Sequence, residues 1–512
     1  MQARTPPAAL GWILAASLAL AGCGSLPPLD SRTPSHALQD TASTPLGRVV
    51  AAGVQSHPGL SGIEAVTDGR VALGLRLALA RAAARSIDVQ TFLWKPDDAG
   101  TVMFEEMLRA AERGVRVRLL IDDVNTQGMD PILALLEAQP NIELRLYNPF
   151  VSRGSRGLGM LGDFDRLNRR MHNKSFTVDN QVSIIGGRNV ANEYFEAGED
   201  LSFADIDVMV VGPVVPAIST EFDLYWNSAS AYPARLIIDR TPALGRAEFA
   251  QRARDVIAGD ANKYADAIAR TPQAQALLAG ELRFEWTTAR VVHDDPDKTL
   301  GTSDDTNLLL QRLMTAFGAP AAHFDLVSPY FVPGENGTEA LAAMAKRGVR
   351  VRVLTNSLAA TDETSVHSGY ARRRKPLLRA GVELYEIKVG AATIKARAEE
   401  IGKQHSKAGL HAKTFAVDQR SVFVGSFNFD PRSAKLNTEM GLVIDSVPLA
   451  RRLAAMFDTA SPALAYHVTL DANDDLRWHD GAGVTLESEP EASWAQRVKV
   501  RIFSWLPIEW LL

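Results

Sequence analysis

Cysteine is nearly absent from this chain, since Cys23 is the only one among 512 residues. A single cysteine excludes a disulfide within the chain and any metal site built on several cysteines. Positive charge is not in excess either, because the net charge is −5 and the isoelectric point is near 6.1. Nucleic-acid-binding proteins usually carry a basic surface, so this balance argues against a nucleic-acid partner.

The apolar run near the N-terminus is short, extending from Leu10 to Ala21. It is too short to span a bilayer as a helix. Arg4 precedes it and Leu-Ala-Gly-Cys23 ends it, which is the pattern of a signal peptide over residues 1–22. Leu-Ala-Gly-Cys resembles the lipobox of bacterial lipoproteins, in which the cysteine is lipidated after cleavage. A plain secretory signal with an incidental cysteine is the alternative.

The residues after Cys23 carry further expectations. Gly24, rather than an aspartate, follows the cysteine, and in lipoprotein sorting signals this favours the outer membrane. We therefore expect a lipid anchor in the bacterial cell envelope that faces the periplasm. Residues 23–50 are rich in Pro, Ser and Thr, which predicts a flexible tether.

The rest of the chain contains a long-range repeat. Arg113-Gly-Val-Arg-Val-Arg118 and Arg347-Gly-Val-Arg-Val-Arg352 are identical and lie 234 residues apart. Helical and strand periodicities alternate around both, which predicts an α/β fold. A nearly constant offset across further motifs indicates a duplicated domain. We expect one domain over residues 51–275 and a second over 276–465, with the boundary between about 270 and 306.

Two motifs of the form His-x-Lys-x4-Asp occur 239 residues apart. Their members are His172, Lys174 and Asp179 in the first copy, and His411, Lys413 and Asp418 in the second. Six residues separate each aspartate from a Gly-rich turn that ends in an asparagine, namely Asn189 or Asn428. Because the whole pattern is repeated, we interpret the two copies as halves of one site.

These residue types suit the cleavage of a phosphodiester. Alternation over residues 171–178 and 410–417 predicts strands that present His and Lys on one face. Lysine and asparagine side chains can hold the nonbridging oxygens, while one imidazole attacks phosphorus and the other protonates the leaving oxygen. No cofactor or metal is needed, because the lysines supply the positive charge. Asp179 and Asp418 fall on the opposite strand face, and we expect them to be structural and to bond the backbone.

The paired motifs resemble the HKD motifs of the phospholipase D superfamily, and the match covers nearly the whole chain after the signal peptide. Within it, four strings resemble the bacterial cardiolipin synthases, especially those of the C type. They are Asn168–Asp179, Gly186–Asn189, Ser328–Pro333 and the Leu-Pro-Ile-Glu that ends at Glu509. The resemblance implies two tandem α/β/α sandwich domains related by a pseudo-twofold axis. One active site, complete within a single chain, would lie at their interface.

The resemblance also implies roles for individual residues. His172 would be the nucleophile that forms a phosphohistidine, and His411 the acid, although the symmetry of the two motifs leaves the reverse order open. One acidic residue from each half would orient a histidine from a strand beyond the asparagine. Asp205 and Glu439 stand at those positions. Asp207 is the rival of Asp205, because it shares the same strand face.

The implied activity is the transfer of a phosphatidyl group between phospholipids. Hydrolysis to phosphatidic acid stays open, since the same residues can use water as the acceptor. Charge and the lipid anchor disfavour a nuclease, and two complete His/Lys/Asn sets disfavour a non-catalytic lipid-binding scaffold.

The C-terminal tail, residues 466–512, is of a different kind. From Trp494 onward, aromatic and aliphatic residues alternate with cations. This composition suits a membrane interface, and equally a last strand and helix that pack on the second domain.

Overall fold

The computed structural model describes residues 25–195, 201–239, 243–259, 271–389 and 407–512. The predicted signal peptide and Cys23 lie outside the described residues. Strands β1 to β10 are Ser61–Val66, Ser86–Thr91, Arg116–Asp122, Ile142–Tyr147, Ser175–Val178, Val182–Gly186, Leu201–Ala204, Asp207–Val211, Ala231–Pro233 and Glu285–Thr287. Strands β11 to β21 are Ala289–His293, His323–Val327, Arg350–Asn356, Glu383–Ile387, Lys407–Leu410, Thr414–Val417, Ser421–Gly425, Met440–Ile444, Ala465–Leu470, Leu476–His479 and Thr485–Leu486.

The α-helices flank the two large sheets. Helices α1 to α9 are Pro45–Ser56, Gly69–Ala82, Asp98–Glu112, Asp130–Glu137, Arg156–Gly162, Phe164–Leu167, Val214–Trp226, Arg246–Gly259 and Pro272–Ala279. Helices α10 to α17 are Leu309–Phe317, Gly334–Lys346, Thr364–Ala371, Arg374–Arg379, Pro431–Lys435, Val447–Ala455, Ser461–Leu464 and Trp494–Phe503. Among the residues that the structure describes, no helix is both long and apolar enough to cross a bilayer.

The two large sheets repeat one topology. The first has the order β10-β1-β8-β6-β5-β2-β3-β4-β9, and the second β11-β18-β17-β16-β12-β13-β14-β19-β20-β21. When the two sheets are read in this spatial order from β1 and from β11, eight successive strands of the first correspond one to one to eight of the second. In both sheets three neighbouring strands are parallel and are followed by an antiparallel hairpin, which is β5–β6 or β16–β17. The predicted α/β fold with two repeats is confirmed.

The identical six-residue segments have the same structural role in both halves. Gly114 and Gly348 each have a φ of 89°, a left-handed conformation that ends α3 and α11 at little steric cost. Four residues on, Arg118 is buried against Asp88, with 2.7 Å between Nε and Oδ1. Arg352 pairs with Asp325 in the same way at 2.6 Å. Each segment therefore joins a helix end to a buried ion pair between neighbouring parallel strands.

The two halves share an apolar core of their own. Ile185, Val208 and Val210 of the first half lie in one buried cluster with Val424, Leu442 and other residues of the second. Strands β6, β8, β17 and β18 are therefore covered on both faces, which explains their nearly continuous apolar sequences. This core packs the strands next to the first motif against the strands next to the second.

The chain passes from the first sheet to the second at Thr288, between β10 and β11. Thr288 lies within the range predicted for the domain boundary. Beyond residue 465, strands β19 to β21 extend the second sheet and α17 lies against α12. The first part of the predicted tail thus belongs to the second domain.

Part of the predicted tether also lies against the first domain rather than extending freely. Arg32 donates to the carbonyl oxygens of Asn227 and Ala231, and the Ala37 amide donates to Asp223. Helix α1 begins at Pro45, within the predicted tether. The composition of this stretch predicted a flexible tether and did not reveal these contacts.

Candidate active site

Backbone pairing between the two halves brings the motifs together. The His172 amide donates to the Thr438 carbonyl oxygen at 2.9 Å, and the His411 amide donates to Ala204 at 2.8 Å. Strand β15 of the second half also runs parallel to β7 of the first. Each histidine therefore lies at the end of a short stretch of backbone hydrogen bonding to the opposite half.

This pairing corrects the predicted motif strands. The sequence predicts continuous strands over residues 171–178 and 410–417, but β5 begins at Ser175 and β16 begins at Thr414. The reason is a change of partner, because Met171 pairs with Thr438 of the second half whereas β5 pairs with β2 and β6. The His-x-Lys residues lie between the two pairings.

Each histidine contacts a carboxylate of the opposite half. His172 Nδ1 lies 2.9 Å from Glu439 Oε2, and His411 Nδ1 lies 2.6 Å from Asp205 Oδ2. All four side chains are buried. An Nδ1–H bond to a carboxylate holds the ring in one orientation and leaves Nε2 as the unprotonated nitrogen.

Asp205 and Glu439 were predicted to lie on strands, but Asp205 lies two residues before the start of β8 and Glu439 one residue before the start of β18. Asp207, the rival of Asp205, points elsewhere. Its carboxylate lies 2.9 Å from Arg76 and 3.4 Å from Arg188, so it belongs to a buried ion cluster of the first half.

The lysines and asparagines of the two copies are also buried. Lys174 and Lys413 each donate to the carbonyl oxygen of their own motif histidine at 2.6 Å. The Oδ1 atoms of Asn189 and Asn428 have no hydrogen-bond partner in the described part of the chain. A buried amide oxygen without a partner costs about 1–3 kcal/mol, and a turn of the side chain would present the NH2 group to an anionic ligand instead.

Burial sets the protonation states of the site. Together with the charge of the nearby lysines, it lowers the pKa of His172 to about 4 and that of His411 to about 3. Burial also lowers the pKa of Lys174 to about 7 and that of Lys413 to about 8. Near neutral pH both imidazoles are therefore neutral.

The pKa values of the two carboxyl groups, unlike those of the histidines and lysines, are not decided by burial. Burial alone raises the pKa of Glu439 and of Asp205, but the contact with a histidine and the charge of a lysine outweigh it. The pKa of both groups is therefore held below its ordinary value. Ionised carboxylates bonded to neutral imidazoles are the arrangement that a histidine nucleophile requires.

Several neighbours of the histidines were not predicted. The Phe92 ring lies edge-on to His172 with 5.0 Å between ring centroids, and Tyr194 lies likewise against His411 at 4.9 Å. Ser426 and Ser433 donate their hydroxyls to Glu439 at 2.5 and 2.7 Å. Ser426 lies in the Gly-rich turn of the second motif, and this position was the one feature of the sequence that could have indicated its role.

The motif aspartates lie away from this centre. Asp179 accepts hydrogen bonds from the backbone amides of residues 84–86, and Asp418 from those of residues 321–323. Both have a φ of 52° at the start of a tight hairpin turn. Each carboxylate thus ties its hairpin to the start of a parallel strand.

Comparison with protein-family models identifies the chain. The model described as "Cardiolipin synthase, PLD-like domain" matches residues 77–226 and again residues 313–460. The chain belongs to the phospholipase D superfamily. The two matches contain the two motifs, one in each half.

Individual relatives agree with this assignment. The chain is 44% identical over 463 residues to cardiolipin synthase C of Escherichia coli, which covers 89% of this chain and 97% of the relative. It is 24% identical over 387 residues to cardiolipin synthase A of Klebsiella pneumoniae, covering 73% of this chain and 64% of that one. The prediction of a phospholipase D-type phosphodiester transferase is confirmed at this level.

A solved structure shares the fold. Phosphatidylserine synthase of Haemophilus influenzae superposes with a TM-score of 0.56 at 15% sequence identity, covering 91% of this chain and 100% of the other. At that identity the likeness concerns the fold alone.

Proposed function

We propose that this enzyme transfers a phosphatidyl group from one phospholipid to a hydroxyl of a second, as in cardiolipin synthesis, through a phosphohistidine at His172. The observation that carries the proposal is the crossed pairing of His172 with Glu439 and of His411 with Asp205. It supplies two imidazoles, each oriented through Nδ1 by a carboxylate of the opposite half, and Lys413 Nζ lies 3.1 Å from Nε2 of His411. Such a pair suits a reaction in which one imidazole forms a bond to phosphorus and the other moves protons.

In the first step, the nonbridging oxygens of the donor phosphodiester bind between Lys174 and Lys413, and the two asparagine amides turn their NH2 groups towards them. His172 Nε2 attacks phosphorus while the bond from phosphorus to the leaving alcohol breaks. His411 carries the proton that the leaving oxygen takes up. The negative charge of the bound phosphodiester raises the pKa of the imidazole, which allows His411 to hold that proton.

In the second step, the hydroxyl of the acceptor lipid gives its proton to His411 Nε2. Its oxygen attacks phosphorus, the bond to His172 breaks, and the diester product leaves. The assignment of attack to His172 rests on the family resemblance, since the two half-sites are nearly equivalent in geometry.

The test is a product analysis in detergent with radiolabelled phosphatidylglycerol. We expect labelled cardiolipin, and a loss of at least about a thousandfold with His172→Asn or His411→Asn. His36→Asn, which alters an exposed histidine, serves as the matched control and should keep full activity. Phosphatidic acid as the only product, even with a second lipid in excess, would show a hydrolase instead.

We further propose that the protein is anchored in the outer membrane by a lipid on Cys23 and faces the periplasm. The lipobox-like sequence supports this. Cys23→Ser should move the protein from the outer-membrane fraction to the soluble fraction. Unchanged sedimentation of this variant would leave the tail as the anchor. Sedimentation of the unaltered protein with the inner membrane would contradict the proposed location.

The tail is proposed as a second membrane contact. Trp494 and Trp505 are 78% and 77% exposed, and exposed indole rings favour a membrane interface. Deleting the tail would also remove structural contacts, because Arg373 pairs with Glu509 at 2.8 Å. Trp494→Ser with Trp505→Ser is therefore the better test, and we expect weaker flotation with anionic vesicles in a form that lacks residues 1–23. Unchanged flotation would mean that the tail only packs on the second domain.

A further inference from the structure

A cavity of about 590 Å³ lies beside the active site, between α11, α14 and the C-terminal residues. Its apolar wall includes Leu310, Val332, Phe427, Phe429, Ala434 and Trp510. A volume of this size with an apolar wall is typical of a ligand site. Neither the motifs nor the proposed chemistry assigns it a role.

The cavity shares two stretches of chain with the active site. Ser426 contacts both His172 and Glu439, and the next residue, Phe427, lines the cavity. Ser433 donates to Glu439 at 2.7 Å, and Ala434 beside it lines the cavity. Successive Cα atoms are about 3.8 Å apart, so little more than one layer of residues separates the cavity from Glu439 and from the Nδ1 side of His172.

The charged residues of the wall do not favour an ionic ligand. Three are basic and three are acidic, namely Arg372, Arg373, Lys435, Glu335, Asp430 and Glu509. Arg373 and Glu509 pair with each other, Asp430 caps α14 through the Ser433 amide, and Arg372 donates to the Leu506 carbonyl oxygen. The opposite charges balance and several are already occupied, so the apolar surface decides what binds.

We propose that this cavity holds an acyl chain of the phospholipid substrate; this rests on the proposed function. In a phospholipid the acyl chains join the phosphate through one glycerol unit. When the phosphate lies between His172 and His411, its chains must therefore lie close by. The cavity supplies apolar surface at that place, and the exposed Leu310 and Trp510 form its rim towards solvent or membrane.

The decisive experiment varies acyl length and cavity volume together. Ala434→Trp fills the cavity, and Ala340→Trp places the same side chain on the exposed face of α11, outside the cavity, as the matched control. With dipalmitoyl phosphatidylglycerol, we expect Ala434→Trp to lower kcat/KM at least about tenfold, a size typical of an obstructed apolar subsite. With the dihexanoyl lipid the loss should be less than about twofold, and Ala340→Trp should match the unaltered enzyme on both.

Equal losses on both lipids, or no loss on either, would overturn the proposal. A second measurement is independent of turnover and separates it from the proposed function. A phospholipid with a photoreactive diazirine at the end of one acyl chain should crosslink to residues 427–435 or 507–510 in the full chain in detergent. Crosslinks confined to other segments would also overturn the proposal. Crosslinks at the cavity in a protein that turns over no phospholipid would instead refute the proposed transfer reaction.

Discussion

Glu439 of the second half accepts a hydrogen bond from His172 Nδ1 of the first half at 2.9 Å. The mirror relationship holds between Asp205 and His411 at 2.6 Å. Each half thus supplies a histidine and the carboxylate that orients the histidine of the other half. A single half would contain neither complete pair, so both repeats are needed to form the site.

The first prediction concerns the orienting carboxylate. Glu439→Gln should lower kcat by about a hundred- to ten-thousandfold, because an amide does not enforce the required imidazole tautomer. Nitrogen-15 NMR of labelled histidine should show a mixed tautomer in place of one Nδ1–H form. Glu439→Asp, which copies the residue type of the other half, should recover part of the activity.

Asp207→Asn is the matched control for that experiment. It removes a carboxylate that is equally buried but pairs with Arg76 and Arg188. We expect a loss of about 3–5 kcal/mol in the free energy of unfolding, with the histidine tautomers unchanged in the folded protein. The same loss of tautomer order in both variants would contradict a specific role for Glu439.

The second prediction concerns pH. The lowered pKa values of Lys174, about 7, and of Lys413, about 8, mean that their ammonium groups lose protons as the pH rises through that range. kcat/KM, which reports the free enzyme, should therefore begin to fall at about pH 7 and fall more steeply above about pH 8, whereas kcat should fall only at higher pH because the bound phosphate anion raises both pKa values. A kcat/KM profile that stays level to about pH 10, the range of an ordinary lysine, would contradict this assignment.

The third prediction concerns a glycine in the first motif. A Cβ on Gly187 would lie 2.3 Å from Asp205 Oδ1, so Gly187→Ala should displace the carboxylate and lower kcat at least about tenfold. In the second half Ser426 occupies the matching position, and Ser426→Ala should have a smaller effect because Glu439 keeps its bond from Ser433. Gly157→Ala, in α5 where a Cβ meets open space, is the control. Equal kcat in all three variants would show that this contact does not matter.

The fourth prediction separates the motif aspartates from the chemistry. Asp179→Asn keeps a residue type that tolerates positive φ and an Oδ1 that can accept from residues 84–86, but its NH2 group cannot accept the Ala84 bond that Oδ2 receives at 3.1 Å. We expect a loss of about 1–3 kcal/mol in the free energy of unfolding, with kcat unchanged. Chemical denaturation and product assays on the folded protein would check both. A fall in kcat without a fall in stability would place Asp179 in the reaction.

The duplicated α/β fold could be predicted from the sequence because the same residues recur in both halves, as in the Arg-Gly-Val-Arg-Val-Arg segments. It did not reveal the change of strand partner at residues 171 and 410, because that pairing joins positions more than 200 residues apart. The same limit applies to Phe92 and Tyr194, whose places beside the histidines follow from how the two halves meet. Residues 32–37 were missed because their contacts with the first domain are made largely by backbone groups, which leave little mark on composition.

The most direct test of the account is to trap the covalent intermediate. His411→Asn keeps the proposed nucleophile and removes the group that activates the acceptor. Because His411 also protonates the leaving oxygen in the first step, the donor is a labelled phosphatidyl p-nitrophenol, whose leaving group departs without a proton, and the phosphatidyl group should accumulate on His172. The variant would be mixed with this donor, quenched in alkali, under which a phosphohistidine survives, and its peptides analysed by mass spectrometry. We predict an adduct on the peptide with His172 and none on the matching peptide of His172→Asn. An adduct on His411 in the latter variant, or none in either, would contradict the account.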